Sequence, residues 1–381
     1  MEINVLHVLR TYLPVTENWL FHLLDNTEGV QHTIYCEKFS PGIFHTKKFD
    51  FLPLPVGYES EFGQSFPHKL IRFFFNIFRH VTGITKQRYF SQLIKTEKPS
   101  IIHIHFGTMA LAYEAVLMKT TTPFVVSYYG YDYNPTYNYK NIFHKVTAVI
   151  CEGKAGKEQL IGLGCPDEKI KIVPLGIIPL ERVTLKRKPE GRLHLVQIAS
   201  FTEKKGHIYT IRAVEKALSA CPNIRLTLIG PDSFLKRKMM AYVHENKLDK
   251  KILFKDGITP DNLSEELKQY DVFIHPSVTA ENGDNEGGAP VVLLNAQNVG
   301  LPVISTYHKD IPDYVIHGIT GFLAPEKDVG ILSSLIIEFY KMKEQSFLNF
   351  STNARNHVHK YYDLRENAQK LSSLYHTIIK T

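Results

Sequence analysis

One stretch, from Asp271 to Pro325, constrains the fold of this chain more than any other. Apolar residues at Asp271–His275 predict a strand, and a polar loop with several glycines follows at Ser277–Gly288. Pro290–Val299 then predicts a helix, and Leu301–Ser305 predicts a second strand. Strand, helix and strand make a βαβ unit, in which the two strands lie parallel. The fold class is therefore α/β, and ligands are expected at the carboxyl ends of the strands.

The polar loop mixes carboxylates with glycines. Carboxylates accept hydrogen bonds from hydroxyls, whereas open backbone amides and helix N-termini bind anions. Pro290, predicted as the first helical residue, has no amide and leaves the neighbouring amides open. The loop therefore favours a ligand with both hydroxyls and phosphates, although a solvated acidic turn would have the same composition. The acidic residues are Glu281, Asp284 and Glu286, and the glycines are Gly283, Gly287 and Gly288.

The same stretch resembles the C-terminal signature of glycosyltransferase family 4, the retaining sugar transferases with the GT-B fold, and above all its members that build bacterial surface polysaccharides. The resemblance implies two Rossmann-like domains facing a central cleft and a nucleotide-activated sugar as donor substrate. It implies neither a metal nor another cofactor. The matching segments are HPS at His275–Ser277, GD at Gly283–Asp284, EG at Glu286–Gly287, GLPVIST at Gly300–Thr306 and IPDYVIHGITGFLAP at Ile311–Pro325.

At 381 residues, the chain is too long for one ordinary hydrophobic core. We expect an N-terminal, acceptor-side Rossmann-like domain over residues 1–178 and a linker over 179–192, where two prolines stand among charged residues. A nucleotide-sugar-binding Rossmann-like domain is expected over 193–360. In the resembled fold the last helix, here 361–381, crosses back to the first domain.

The charge and the cysteine content of the chain argue against several classes of protein. A net charge of +7 is modest, and no basic motif with interleaved aromatic residues occurs, so nucleic acid is not an expected partner. Four widely spaced cysteines without a CxxC pair indicate neither a disulfide framework nor a zinc site and favour a reducing cytosol. The N-terminus begins directly with strand-like sequence, and no run of about 18 apolar residues occurs. We therefore expect a cytoplasmic protein.

The loop after the first strand is one candidate for the acceptor side. Many of the resembled enzymes have SET(F/W) there, and Thr16 and Asn18 belong to a similar segment. The resemblance thus makes both residues candidates for sugar contact. A helix cap is a second role open to Thr16.

Two further segments, HIHFG at His103–Gly107 and SYYGYD at Ser127–Asp132, are each expected at the end of a strand. Where the resembled enzymes have FHG at the second position, its histidine contacts the donor sugar, and Tyr129 stands there in this chain. A tyrosine donates a hydrogen bond but does not take up a proton near neutral pH. His105 is therefore the titratable candidate for catalysis, with a structural role as the alternative. Tyr129 and Asp132 are candidates for sugar contact.

A second anion-binding segment opens the second domain. ASFTEKKG at Ala199–Gly206 precedes a predicted helix, so backbone amides, the helix dipole and a lysine come together. In the resembled family an arginine and a lysine of this segment grip the donor diphosphate. Lys205 matches the lysine and is predicted to act in donor binding and catalysis, whereas Ser200 stands at the arginine position. The ordinary alternative is that the two lysines are simply exposed to solvent.

Gly257 marks a further predicted donor contact, because the resembled enzymes present backbone groups to the nucleotide base in the residues after this glycine.

The chain departs from the family near the predicted donor. The family has two glutamates separated by seven residues, the first near the donor sugar and the second bonded to ribose. Here Glu286, a catalytic candidate, is followed by eight residues and then by Asn295, and one extra glycine explains the spacing. The amide of Asn295 loses charge-assisted bonding, a difference of about 1 kcal/mol or more per bond. Gly287, Gly288 and Ala289 complete the predicted donor site.

Residues 62–96 contain six cations among many phenylalanines and no acidic residue. A helix with a basic stripe and an apolar face can lie in a membrane interface. We predict contact with an anionic membrane surface through residues 66–90. A helix buried in the first domain, with its basic stripe in solvent, is the alternative.

The sequence therefore predicts a metal-independent retaining glycosyltransferase, cytoplasmic and peripheral on the inner face of the membrane. It would move a sugar from a nucleotide-sugar to a saccharide acceptor, expected to be lipid-linked, in cell-surface polysaccharide synthesis. One alternative is a nucleotide-sugar epimerase on the same fold. Another is a non-catalytic GT-B module, which the changes at Ser200 and Asn295 would allow.

Overall fold

The computed structural model describes residues 2–11, 18–38, 48–53, 82–185 and 190–380. The chain divides into two compact units. The first consists of Met1–Pro174 together with Arg365–Thr381, and the second is Leu175–Leu364. The first unit is thus built from two separate stretches of the chain. Thr16 and residues 66–81 of the predicted membrane surface lie outside the described residues.

A seven-stranded parallel sheet with the order β3-β2-β1-β4-β5-β6-β7 forms the centre of the first unit. Strand order reverses between β1 and β4, which is where sheets of this kind bind ligands. The strands are β1 (Ile3–Thr11), β2 (Val30–Lys38), β3 (Phe49–Pro53), β4 (Ile101–His105), β5 (Phe124–Ser127), β6 (Ala148–Cys151) and β7 (Ile170–Ile172). The helices are α1 (Asn18–Asp25), α2 (Thr82–Glu97), α3 (Gly107–Ala112), α4 (Glu114–Leu117), α5 (Lys140–Lys145) and α6 (Lys154–Gly162).

A six-stranded parallel sheet with the order β10-β9-β8-β11-β12-β13 forms the centre of the second unit. The strands are β8 (Leu193–Ile198), β9 (Ile224–Ile229), β10 (Ile252–Lys255), β11 (Val272–Ile274), β12 (Val303–Thr306) and β13 (Gly321–Ala324). The helices are α7 (His207–Leu218), α8 (Phe234–Glu245), α9 (Leu263–Leu267), α10 (Val291–Asn298), α11 (Ile311–Tyr314), α12 (Val329–Lys341) and α13 (Glu344–Tyr361).

The βαβ unit predicted from the sequence is β11, α10 and β12, and its two strands pair in parallel. Its helix begins one residue later than expected. Pro290 has a ψ of 125°, which is extended, so it caps α10 instead of forming its first residue. Central strands such as β4, β5 and β12 are buried at every position. Burial at every position is typical of a parallel sheet covered by helices on both faces, and here it includes polar residues such as His103, His105 and Ser305. The expected α/β class with two Rossmann-like domains is confirmed.

The last helix, α14 (Leu364–Lys380), belongs to the first unit from Arg365 onward. The Tyr375 hydroxyl lies 2.5 Å from Nδ1 of His103 in β4. The Ser372 hydroxyl donates to the backbone oxygen of Glu28 at 2.8 Å. These bonds attach the end of the described chain to the sheet formed by its beginning.

Candidate active site

The candidate site lies at the carboxyl edge of the second sheet. Strands β8, β11, β12 and β13 are neighbours there and run parallel. Their following loops therefore emerge side by side. These four loops carry Lys205, Glu286, His308 and Glu326, respectively.

Lys205 and Glu286 form a largely buried ion pair. Nζ of Lys205 lies 2.7 Å from Oε2 of Glu286, and the two side chains are 18% and 6% exposed. The Ser277 hydroxyl donates to Oε1 at 2.8 Å. Burial raises the pKa of Glu286, but the charge of Lys205 and the neighbouring polar groups outweigh it, so the pKa lies well below its usual value. The carboxylate is ionised at neutral pH, and its remaining lone pairs can accept a sugar hydroxyl.

Backbone geometry after β8 places Lys205 in the site. Glu203–Lys205 form a single 3₁₀ turn, and the following Gly206 has a φ of +67°. A Cβ atom at Gly206 would lie 1.9 Å from the backbone oxygen of Pro276, so only glycine fits. Helix α7 starts directly afterwards at His207. The lysine therefore stands beside a helix N-terminus, an arrangement that suits a phosphate.

The loop between β11 and α10 is held against the loop after β8 by further bonds. Nζ of Lys204 lies 3.0 Å from Oδ1 of Asp284 and also donates to the backbone oxygen of Asn285 at 3.1 Å. The backbone amide of Glu281 donates to Oε1 of Glu203 at 2.9 Å. The predicted ligand-facing carboxylate of Asp284 is thus bonded to Lys204. This pair was not predicted from the sequence, because its members lie 80 positions apart.

Three other predicted donor contacts differ in their surroundings. Ser200 is exposed after β8, and Gly257 is exposed after β10. Asn295 lies half-buried in α10, where its side-chain amide donates to the backbone oxygen of Val291 at 3.2 Å. This bond occupies one donor of the amide and leaves its oxygen for another partner. The ribose role of Asn295 stays a prediction.

The glycines before α10 contribute backbone, not side chains. Gly287 has a φ of +76°, and its amide donates to Oδ1 of Asn285 at 2.8 Å. The Gly288 oxygen accepts the Asp310 amide at 3.4 Å. The Ala289 side chain is buried in the core of the second unit. Contacts of Gly287, Gly288 and Ala289 with a donor therefore remain predictions about their backbone atoms.

In the first unit, His105 is completely buried. Its Nε2 atom lies 3.0 Å from Nδ1 of His7, whose Nε2 lies 2.9 Å from Nδ1 of His32. Burial, followed by the influence of His32, lowers the pKa of His105 to about 3. Proton uptake near neutral pH is therefore not expected of His105. The sequence offered a signal for this cluster, because His103 and His105 are two positions apart on one strand and share a face.

Among the described residues, the same cluster is the group whose nitrogens come close enough to share a metal ion. One ring nitrogen each of His7, His103 and His105 lies within 4.8 Å of the others. Hydrogen bonds already use these groups, including one of 2.7 Å between Nε2 of His103 and the Ser127 hydroxyl. A hydrogen-bonded network is the better explanation of the cluster.

Among the remaining acceptor-side candidates, Tyr129 and Asp132 follow β5. Asp132 is 1% exposed, and its two carboxylate oxygens accept the backbone amides of Tyr129 and Thr108, each at 3.1 Å. Burial raises the pKa of Asp132, although these bonds oppose the rise. The Tyr129 ring packs against Trp19, with 4.7 Å between ring centroids. Asn18 is the first residue of α1. Sugar contact by Asn18, Tyr129 and Asp132 stays a prediction.

Only residues 82–90 of the predicted membrane surface are described. Phe90 packs in the core of the first unit, as the buried-helix alternative expects. Lys86 pairs with Glu37 at 2.7 Å. Among the described residues, no helix is both long enough and apolar enough to cross a bilayer.

A groove of about 690 Å³ in the first unit has four cations and no carboxylate among its lining side chains. These cations are Arg88, Lys95, Lys98 and Lys119.

Comparisons with known proteins cover both units. The family model described as Glycosyltransferase Family 4 matches residues 23–179, and the model described as Glycosyl transferases group 1 matches residues 184–357. The solved glycosyltransferase from Rickettsia africae ESF-5 has a TM-score of 0.75 at 15% identity, covering 100% of this chain and 99% of that one. Anabaena HepE in complex with UDP and glucose has a TM-score of 0.74 at 16% identity, covering 98% and 100%. The expected GT-B fold is confirmed.

Curated relatives include proteins of polysaccharide synthesis. AmsK of Erwinia amylovora, an amylovoran biosynthesis glycosyltransferase, is 33% identical over 52% of this chain and 49% of its own length. WcaL of Salmonella typhimurium, ascribed to colanic acid biosynthesis, is 31% identical over 64% of this chain and 60% of its own length. An Escherichia coli UDP-Gal:alpha-D-GlcNAc-diphosphoundecaprenol alpha-1,3-galactosyltransferase is 24% identical over 74% and 77%. The chain spans about half to three fifths of the length of AmsK and WcaL.

Proposed function

Because the chain belongs to glycosyltransferase family 4, we propose that it transfers a sugar from a nucleotide-sugar to a saccharide acceptor in the assembly of a cell-surface polysaccharide. The ion pair of Lys205 and Glu286 beside the N-terminus of α7 is the observation that carries this proposal. It combines a cation for a diphosphate with a carboxylate for sugar hydroxyls. We further propose a lipid-linked acceptor, on the strength of the diphosphoundecaprenol-linked acceptor in the name of the E. coli relative.

The proposed reaction retains the configuration at the anomeric carbon and uses no metal. The bond between the anomeric carbon and the donor diphosphate breaks, and the acceptor oxygen forms its bond on the same face. The acceptor proton passes to the leaving phosphate. Negative charge grows on that phosphate as the bond breaks, so the ammonium group of Lys205 stabilises the transition state more than the bound donor. Glu286 holds the ammonium group in place and accepts a hydroxyl of the sugar.

A screen of nucleotide-sugars for binding, donor hydrolysis and transfer tests this proposal. We expect at least one donor to be bound and hydrolysed by the wild type, with a much slower reaction in Lys205→Ala. Lys268→Ala is the matched control, because Lys268 pairs with Glu265 on an exposed surface. Absence of both binding and hydrolysis for every nucleotide-sugar would refute the proposal.

A non-catalytic nucleotide-binding module is the second candidate, and two residues favour it. Ser200 is exposed where the resembled enzymes have an arginine, and Asn295 donates to its own helix where they have a glutamate. Both substitutions remove charge from the predicted donor site. Binding of a nucleotide-sugar without hydrolysis or transfer would support this candidate over the enzyme.

We also propose that the protein associates with an anionic membrane surface from the cytoplasmic side. The groove lined by Arg88, Lys95, Lys98 and Lys119 supports this proposal, because each cation near such a surface contributes about 1 kcal/mol. Sedimentation with anionic and neutral vesicles tests it. Binding should occur only with anionic vesicles, should weaken with salt, and should weaken in Lys95→Glu plus Lys119→Glu. A wild type that stays in the supernatant with anionic vesicles at low salt would exclude the association.

A further inference from the structure

A buried histidine and a carboxylate support the loop that carries Glu286. In the sheet, the strands before these two residues lie on the opposite side of β11 from β8, the strand that precedes Lys205. Glu326 follows β13, and His308 follows β12. Oε1 of Glu326 lies 2.7 Å from Nδ1 of His308, whose side chain is 0% exposed. Oε2 of Glu326 accepts the backbone amide of Thr279 at 2.7 Å. Glu326 thus joins the histidine to the first part of the loop between β11 and α10.

The bonding pattern fixes the tautomer of His308. An ionised carboxylate only accepts hydrogen bonds, so Nδ1 of His308 carries the proton. Nε2 is then an acceptor, and the backbone amide of Glu286 donates to it at 3.3 Å. Protonation of Nε2 would place a second donor against that amide. The neutral tautomer with hydrogen on Nδ1 is therefore the one that satisfies every group.

The consequence is that one pair of side chains ties down the loop at two places. Thr279 is bonded to Glu326 near the start of the loop, and Glu286 is bonded to His308 near its end. The Thr306 hydroxyl adds a bond of 2.5 Å to the backbone oxygen of Ser277. The backbone of Glu286 is thereby fixed independently of its own carboxylate, which faces Lys205.

We propose that His308 and Glu326 are positioning residues for the transfer reaction, acting through the backbone of Glu286. This inference rests on the proposed function. His308 holds the Glu286 amide, so the carboxylate is already directed at Lys205 and the donor sugar before substrate arrives. Its loss should lower turnover more than nucleotide affinity, because preorganisation matters most where charge develops.

Two substitutions of similar size separate the two bonds of His308. His308→Gln places an acceptor near the position of Nε2 and keeps a partner for the Glu286 amide. His308→Asn reaches only the position of Nδ1 and leaves that amide without its acceptor. Glu326→Gln turns a purely accepting group into one that donates, which favours the wrong tautomer of His308. The control is His244→Asn, whose wild-type side chain is 83% exposed.

The first measurement is amide hydrogen exchange of peptides covering residues 277–290, without any donor. We expect severalfold faster exchange in His308→Asn than in the wild type, His308→Gln or His244→Asn. Equal exchange in His308→Asn and the wild type would overturn the inference. This measurement does not depend on enzymatic activity.

The second measurement is turnover per folded molecule together with nucleotide affinity. We expect at least a tenfold lower turnover in His308→Asn and Glu326→Gln, partial recovery in His308→Gln, and nucleotide affinity within about threefold of the wild type. A merely structural role would lower the unfolding midpoint without changing turnover per folded molecule, and that result would also overturn the inference. A wild type that neither hydrolyses nor transfers any sugar would refute the proposed function, while the exchange experiment still decides whether the loop is held.

Discussion

Replacing Lys205 with alanine should lower both turnover and stability, because one ammonium group serves the donor and a buried carboxylate. The Lys205 and Glu286 side chains are only 18% and 6% exposed, and their charged atoms lie 2.7 Å apart. Burial alone raises the pKa of Glu286, and the charge of Lys205 is the largest effect that lowers it. Without the lysine, a buried carboxylate must stay ionised without its partner or take up a proton.

The size of the stability change follows from this burial. Removing one partner of a fully buried pair destabilises a protein by about 3–5 kcal/mol. Because water reaches part of Lys205, we expect a smaller loss of about 2–3 kcal/mol in the free energy of unfolding. For turnover, loss of the cation at the leaving phosphate should remove about 3 kcal/mol of transition-state stabilisation, or roughly a hundredfold.

The pH dependence has a defined sign. The folded pKa of Glu286 is depressed, so its ionisation stabilises the fold above the unfolded value of about 4.3. That contribution is lost as pH falls below this value towards the folded pKa. The difference in stability between wild type and Lys205→Ala should therefore be full at neutral pH and shrink below about pH 4.

Urea unfolding at pH 7.5 and pH 3, together with donor hydrolysis at pH 7.5, measures both effects. Adding Glu286→Gln to Lys205→Ala removes the isolated charge, so the double variant should recover most of the stability but none of the turnover. Lys204→Ala breaks a more exposed pair with Asp284 and should destabilise by only about 1 kcal/mol. A Lys205→Ala protein that unfolds at the wild-type urea concentration at pH 7.5 would refute the reasoning.

Three further predictions follow from other parts of the structure. Lowering the pH from 7 to 5 should destabilise the protein by about 2 kcal/mol in the free energy of unfolding, because burial lowers the pKa of His105 to about 3 and this histidine takes up a proton only after unfolding. In urea unfolding across this range, the stability of His105→Asn should depend less steeply on pH than that of the wild type. Gly206→Ala should lower the free energy of unfolding by about 2 kcal/mol or more in urea, because a Cβ atom would overlap the Pro276 oxygen, and a wild-type midpoint would contradict this close approach of the two backbone segments. Asn295→Ala should weaken nucleotide binding more than turnover at saturating donor, and unchanged affinity in a nucleotide titration would remove its ribose role.

The βαβ unit at Asp271–Pro325 was predictable because its signals are local. Alternation of apolar runs with a glycine-bearing loop specifies strand, helix and strand within one short window. Lys205 and Glu286 were each predicted from their own segments. Their direct contact was not, because the two residues lie 81 positions apart and meet only through the neighbouring positions of β8 and β11 in the sheet.

Side chains that contact distant parts of the chain were the main omissions. His308 and Glu326 lie on loops after different strands, and neither segment has a sequence pattern that predicts the bond between them. His105 was predicted to titrate because sequence does not reveal which end of a strand is sealed from water. Burial of the whole cluster depends partly on Tyr375 in α14, which is separated from His103 by 272 positions. Such contacts depend on the order of the strands in the sheet, so they cannot be predicted from local sequence patterns.

The division of the first unit into two stretches has a consequence for synthesis on the ribosome. The second unit, Leu175–Leu364, is continuous and can finish folding soon after its last residue leaves the exit tunnel. His103 and Glu28, in contrast, must wait for Tyr375 and Ser372, which are translated later than the whole second unit. Domains usually complete folding in the order of their synthesis. In this chain the unit that is begun first is expected to be completed last, so its sheet is the part of the nascent protein that needs protection from aggregation for longest.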